Sequence, residues 1–300
     1  MSRSSRYSRA RAAFRRTTQR IRSAWSGFGP SVGAELQLDA FLQTARDAAE
    51  AAVRIHRRDA GKVGLASARE KARADYVSKT DLDAQEAALA VIERRHPDHI
   101  VLAEESDDTV EDQLVRWDGG PLWIVDPLDG TSNFLHAHPQ YCASVAVAVE
   151  GRVVAGVVAS GSTGERWWAA EGLGAFKGGR RMQVSSVSTL SHAMVGTGFP
   201  FKALELLPDY LGEFDRVLRM ASGVRRGGSA ALDLAYLAQG SLDAFWEKTL
   251  MPWDFAAGIA LVQEAGGVLT RPDGSRLDFT PGPVVGANSA ALLEELRSLL

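Results

Sequence analysis

Cysteine is nearly absent. Cys142 is the only one among 300 residues, so no disulfide can close within the chain, and a reducing, cytoplasmic setting is expected. It lies in an alternating apolar run and reads as a core filler rather than a nucleophile. Long apolar runs are also missing. None approaches the roughly 18 residues of a membrane span, and the basic start lacks the apolar stretch of a secretion signal. No repeat is visible. Histidine and cysteine do not cluster, which argues against a zinc-type ligand set. Acidic residues are absent from positions 1–34, which hold eight arginines (Arg3, Arg6, Arg9, Arg11, Arg15, Arg16, Arg20, Arg22). That composition fits a transit peptide, a nucleic-acid-binding arm or a disordered tail, and it is read as a tail.

What remains is ordinary for a globular protein. The chain is 45% hydrophobic and 24% charged, and it is long enough for one large domain or two smaller ones. Outside the first 34 residues, 26 basic residues face 37 acidic ones, a net of −11. A body this acidic takes an anionic ligand only if cations bridge the two, a first hint of bound metal.

The apolar spacing sets out the elements. A helix begins near Gln37, with Leu38, Phe41, Leu42, Ala45, Ala48, Ala49, Ala52 and Val53 on one face. A Gly-, Lys- and Arg-rich loop covers 58–75. Thr80, with Asp83 three residues on, is expected to cap a helix through Arg95. Short strands follow at 100–103 and 122–125. The alternating run 141–150 turns at Gly151 into 153–159 as a hairpin, and 167–170 and 175–177 continue the pattern. An antiparallel sheet covered by two helices is the expected first half. Beyond residue 186, strands alternate with helices: 195–198, 206–220, a helix capped by Ser229, 242–247, 254–265, 267–270, 284–287 and a last helix capped by Asn288. This reads as a mixed α/β layer. The expected division is a tail over 1–34, an α+β metal-binding half over 35–185 and an α/β half over 186–300 that completes the active site.

Three acidic sites carry the chemistry. In Trp123-Ile-Val-Asp126-Pro-Leu-Asp129-Gly130-Thr131-Ser-Asn-Phe134, an apolar strand runs into two aspartates three apart. Carboxylates at a strand end can converge on a hard cation. Gly130 allows close backbone approach, and the N–H groups of Gly130 and Thr131 open the next helix, a natural phosphate cradle. The alternative is a capped turn with Asx-turn aspartates. Glu104-Glu105 follows another strand end, where adjacent acids are costly unless solvated or metal-bound. Trp253-Asp254 precedes the apolar helix Phe255-Ala-Ala-Gly258, where the alternative is a simple aspartate cap.

Together these motifs resemble the inositol monophosphatase family of magnesium-dependent, lithium-sensitive phosphatases, over about residues 36–300. Further carriers are Pro252-Trp-Asp-Phe-Ala-Ala-Gly258, Glu264-Ala-Gly-Gly267 and the bacterial-type Arg225-Arg-Gly-Gly-Ser-Ala-Ala-Leu-Asp-Leu-Ala-Tyr236. The resemblance implies a layered αβαβα sandwich and two or three Mg2+ ions. The ligands it implies are Glu104, Asp126, the Leu128 carbonyl, Asp129 and Asp254, with Asp81 near a metal. Glu104, Thr131 and Asp81 would take part in catalysis. Gly130, Thr131, Ser229 and Glu247 would contact substrate. A homodimer is implied as well. His136 and His138 are read as packing or surface residues.

The implied reaction is hydrolysis of inositol monophosphate by metal-activated water. Histidinol phosphate is the alternative substrate, because a carboxylate at Glu247 suits a polyol or a cation and suits a second phosphate poorly. Glu247 as a solvated charge paired with Lys248 is the plainer reading. A different class of function is a regulatory binder that engages nucleic acid through residues 1–34.

Overall fold

The computed structural model describes residues 32–72 and 75–300. Helix α1 (Val32–Asp59) leads through the hairpin β1 (Arg69–Ala72) and β2 (Asp75–Val77) to α2 (Lys79–Arg95). Then come β3 (Ile100–Ala103), α3 (Val110–Val115), β4 (Leu122–Asp129), α4 (Thr131–Leu135), β5 (Cys142–Val149), β6 (Arg152–Ser160), β7 (Arg166–Ala170), β8 (Gly174–Lys177) and β9 (Arg180–Arg181). These seven strands form one sheet in chain order; β3 and β4 are parallel and every later pair is antiparallel. The second half contains β10 (Met194–Thr197), α5 (Leu207–Met220), β11 (Gly223–Arg225), α6 (Ala230–Ala238), β12 (Ala244–Leu250), α7 (Pro252–Glu264), β13 (Val268–Thr270), β14 (Gly282–Ala287) and α8 (Ala290–Arg297). Its five-stranded sheet runs β11-β10-β12-β14-β13, parallel at β10 and antiparallel at β14.

Side-chain alternation builds the layers. Trp123 and Val125 of β4 point into a cluster with Phe41, Ala45, Ala49 and Ile92 of α1 and α2. Leu122 and Ile124 point the other way, into a core with α6 and α7. A strand buried on both faces reads as an unbroken apolar run. The α6–α7 layer also meets Phe245, Leu269 and Val284 of the second sheet. The outer face of that sheet, with Val195, Trp246 and Val285, is covered by Tyr210, Val217, Leu292 and Leu296 of α5 and α8. The order is helix, sheet, helix, sheet, helix: an αβαβα sandwich.

Several local expectations change. Residues 32–34 of the expected tail belong to α1, and its residues 1–31 lie outside the described residues. The stretch 58–75 contains β1 and the start of β2. Ser78, not Thr80, caps α2, in a capping box with Asp81. The Thr80 hydroxyl donates to Asp59 instead. Ser289, not Asn288, caps α8, because the Asn288 amide donates to Ser185 and the Val187 carbonyl.

Candidate active site

A cleft of about 810 Å³ opens between the sheets and gathers the motif residues. Its floor is the end of β4. Residues three apart on a regular strand point to opposite faces. Here Asp126 pairs with Ser144 and Asp129 with Cys142, three residues against two. This bulge turns both aspartates to the same side. Asp254, in the first turn of α7, joins them from the other half. One carboxylate oxygen from each of Asp126, Asp129 and Asp254 lies within 4.8 Å of the other two.

Each aspartate is held by one oxygen. Asp126 Oδ1 accepts from the Leu128 N–H at 3.0 Å. Asp129 Oδ2 accepts from the Ser229 hydroxyl at 2.6 Å and the Ala231 N–H at 2.8 Å. Asp254 Oδ2 accepts from the Met251 N–H at 2.7 Å. The capping bond of Asp254 uses one oxygen and so does not exclude the ligand reading. Such outer contacts orient a ligating carboxylate. Burial first, and the neighbouring acids next, push Asp126 and Asp254 well above the usual carboxylate range. Burial also raises Asp129, against its hydrogen bonds.

Glu104 lies beside Asp126, within hydrogen-bonding reach of it, and burial pushes its pKa up to about 7. Glu105 turns away to Lys71, 2.8 Å distant, while the same ammonium stays 3.7 Å from Glu104. Gln85 clamps the Glu105 backbone at both N–H and C=O. The two glutamates are thus divided between the cleft and the β1 strand.

Gly130 has φ 92°, and a Cβ there would meet the Gln140 carbonyl at 2.6 Å. Glycine is required on both counts. The Thr131 hydroxyl donates toward Asp81 Oδ1 (2.8 Å) with the Leu128 carbonyl 3.1 Å away. Asp81 Oδ2 accepts from the Ser78 N–H and hydroxyl. Asp81 therefore grips Thr131 from the capping box. Ser229, 2% exposed, caps α6, donates its proton to Asp129 and lines the cleft wall. Glu247 lines the cleft on β12. Lys248 bonds Glu213 at 2.6 Å, so the plainer pairing of Glu247 with Lys248 is not formed. His136 is exposed and bonds the Ser132 carbonyl.

Three cleft residues have no role in the sequence reading. Lys202 bonds Asp75 at 2.7 Å. Burial works against its charge, and Glu104, Asp75 and Asp254 raise its pKa. Arg226 lies over the rings of Phe199 and Phe201, at 5.7 and 5.1 Å from their centroids. Asp233 lines the wall near Glu247. For Lys202 the available signal was the stretch Gly198-Phe-Pro-Phe-Lys202 just after β10; Arg226 and Asp233 lie within the Arg225–Tyr236 motif.

The ligand atoms offered are all oxygens, and the convergent group contains no His or Cys among the described residues. That donor set fits a hard divalent cation such as magnesium. A carboxylate centre of this kind, between the halves of a layered αβαβα body, suits metal-assisted phosphoryl chemistry. The chain belongs to the inositol monophosphatase family, whose description matches residues 37–300. It is 41% identical over 220 residues to an inositol-1-monophosphatase of Synechocystis sp., covering 73% of this chain and 75% of that one. It is 38% identical over 253 residues to a Nus factor SuhB of Pseudomonas aeruginosa, covering 83% and 91%. The crystal structure of the extragenic suppressor protein suhB from Bartonella henselae superposes with a TM-score of 0.78 at 36% identity, covering 87% of this chain and 98% of that one.

Proposed function

We infer that this chain is an inositol-1-monophosphatase-like phosphoric monoester hydrolase that uses two or three magnesium ions. The observation that carries this reading is the convergence of Asp126, Asp129 and Asp254 beside Glu104 and Thr131. Asp126, Asp129, Asp254, Glu104 and the Leu128 carbonyl would hold the ions. When bound, magnesium neutralises phosphate oxygens and makes hydroxide available near neutral pH. The protein's own part is positioning. Asp81 takes the Thr131 proton as a hydrogen bond, which turns the hydroxyl's lone pairs toward the cleft. Glu104 stands where it can accept a proton from water. The Gly130–Thr131 backbone faces the phosphate, and Glu247 faces the leaving group. Family membership supports lithium sensitivity, a homodimer and a cytoplasmic location as parts of the same proposal. No helix among the described residues is long and apolar enough to cross a membrane.

The test is a substrate panel with purified protein and magnesium. Inositol 1-phosphate is expected to exceed histidinol phosphate in kcat/KM by at least about tenfold. The reverse order would make the protein a histidinol-phosphate phosphatase on the same site.

A relative named Nus factor SuhB favours a second reading, in which arginine-rich residues 1–34 engage nucleic acid. Deleting them is expected to leave phosphatase activity within about twofold. Under this second reading, RNA affinity falls and its salt dependence flattens. RNA binding unchanged by the deletion would remove it.

A further inference from the structure

His56 lies near the end of α1, outside every motif that carries the metal and phosphate chemistry. Its ring is fully buried, between Phe134 and Tyr141 at centroid distances of 6.3 and 5.9 Å. Gly161 closes the cradle: a Cβ there would fall 2.8 Å from His56 Cβ and 2.9 Å from Nδ1. Nε2 stands 2.7 Å from the Pro127 carbonyl oxygen. A carbonyl only accepts, so Nε2 carries the proton. Nδ1 has no partner among the described residues. Burial keeps the ring neutral and pushes its pKa down to about 4. A buried, unpaired nitrogen costs stability, and an apolar residue of similar size would avoid that cost. The ring is therefore spent on one hydrogen bond.

That bond leads to the metal centre. The Pro127 carbonyl and the Leu128 N–H are the two ends of a single planar peptide unit. The Leu128 N–H donates to Asp126 Oδ1 at 3.0 Å. We propose that His56 is a positioning residue: through the Pro127–Leu128 peptide it fixes and strengthens the hydrogen bond that aims Asp126 into the cleft. Hydrogen bonds in series polarise one another. A carbonyl that accepts from His56 makes its own N–H a better donor to Asp126. The relay also ties α1 to the strand end 71 residues away, so the far end of the bulged β4 cannot turn without losing it.

The inference rests on Asp126 as a metal ligand, and the experiment separates the two. Mn2+ binding is followed by electron paramagnetic resonance, without substrate, with melting in EDTA as the folding control. His56→Phe keeps a ring and removes the donor, and His56→Gln restores an N–H at the ε position. The dissociation constant for Mn2+ is expected to rise about tenfold in His56→Phe and to return to within about threefold of the parent in His56→Gln. His56→Leu serves in place of His56→Phe if the larger ring prevents folding, with the same expected rise. Parent-like binding in the folded donor-free variant, or His56→Gln as weak as that variant, overturns the relay. Asp126→Asn is the reference. If it weakens Mn2+ binding while His56→Phe does not, the relay alone fails. If Asp126→Asn binds like the parent, the metal reading fails and the relay with it.

Discussion

Asp126→Asn and Asp254→Asn each lower kcat/KM by a factor on the order of 10³, while the metal-free protein becomes harder to melt. Both substitutions keep shape and backbone contacts. The amide oxygen still accepts from Leu128 N–H or Met251 N–H, as the carboxylate does now. What is lost is the anionic oxygen turned toward the cleft. The gain in stability has the opposite origin. Asp126 is raised by burial and then by Glu104, Asp129 and Asp254, so without cations it is a crowded acid. Neutralising it relieves that crowding by about 1 kcal/mol, or roughly 2–4 °C in melting temperature for a chain of this size. The pH dependence has a definite sign. Glu104 moves from its ordinary 4.5 up to about 7 on folding. Between those values the folded state binds more protons than the unfolded one, so stability falls as pH rises. In EDTA the parent should be most stable near pH 5 and lose stability up to pH 8. Magnesium should flatten the slope, because the cation takes the place of the protons. Calorimetric melting and a magnesium titration of activity read both effects. Near-parental activity at low magnesium, or a metal-free Asp126→Asn that melts earlier than the parent, would contradict the crowded-carboxylate account.

The antiparallel half, the mixed half and the acidic strand ends were legible in the sequence, because each rests on a local pattern, whereas the layer order and the ligand roles came only with the family resemblance. The run 141–150 alternates, and the acids stand at the ends of apolar strands. What local pattern does not carry is decided elsewhere in the chain. Asp126 and Asp129 face the same way only because β4 bulges against Ser144 and Cys142; Pro127 between them, with no N–H for the ladder, is the local mark of that bulge, but the register itself is set by β5. Ser-Lys-Thr-Asp-Leu-Asp over 78–83 contains two overlapping capping boxes. Asp59 decides between them by taking the Thr80 hydroxyl, and Thr131 by engaging Asp81. No local pattern gives Lys71 or Lys202 a partner. Their partners Glu105 and Asp75 lie 34 and 127 positions away in the chain, and only folding brings them together. His56 was hidden for the same reason: one polar residue in a helical pattern names no partner.

Glu247 is expected to set substrate choice, and its removal should separate one substrate from another. It leaves β12 toward the cleft, opposite Val284, and its carboxyl lies over the bare Cα of Gly198, where a Cβ would come within 2.2 Å. Burial first and Asp233 next push its pKa up to about 8, against Arg226 and Lys202. At neutral pH in the free cleft the group is therefore mostly protonated, with one O–H to give and oxygens to receive. Neighbouring hydroxyls of a polyol need both. A substrate without them leaves the carboxyl unpaired, at about 1–3 kcal/mol per lost bond. Glu247→Ala should lower kcat/KM for inositol 1-phosphate by roughly ten- to a hundredfold, and for a simple aryl phosphate by less than about threefold. Glu247→Gln keeps a donor and an acceptor at the same reach, so it should retain most of the discrimination. A Gln variant as poor as Ala would mean that the charged form is what the substrate needs, a result that favours a cationic leaving group such as histidinol. Equal, small losses on the polyol and aryl substrates in Glu247→Ala would remove Glu247 from substrate recognition and leave the carboxylate centre as it stands.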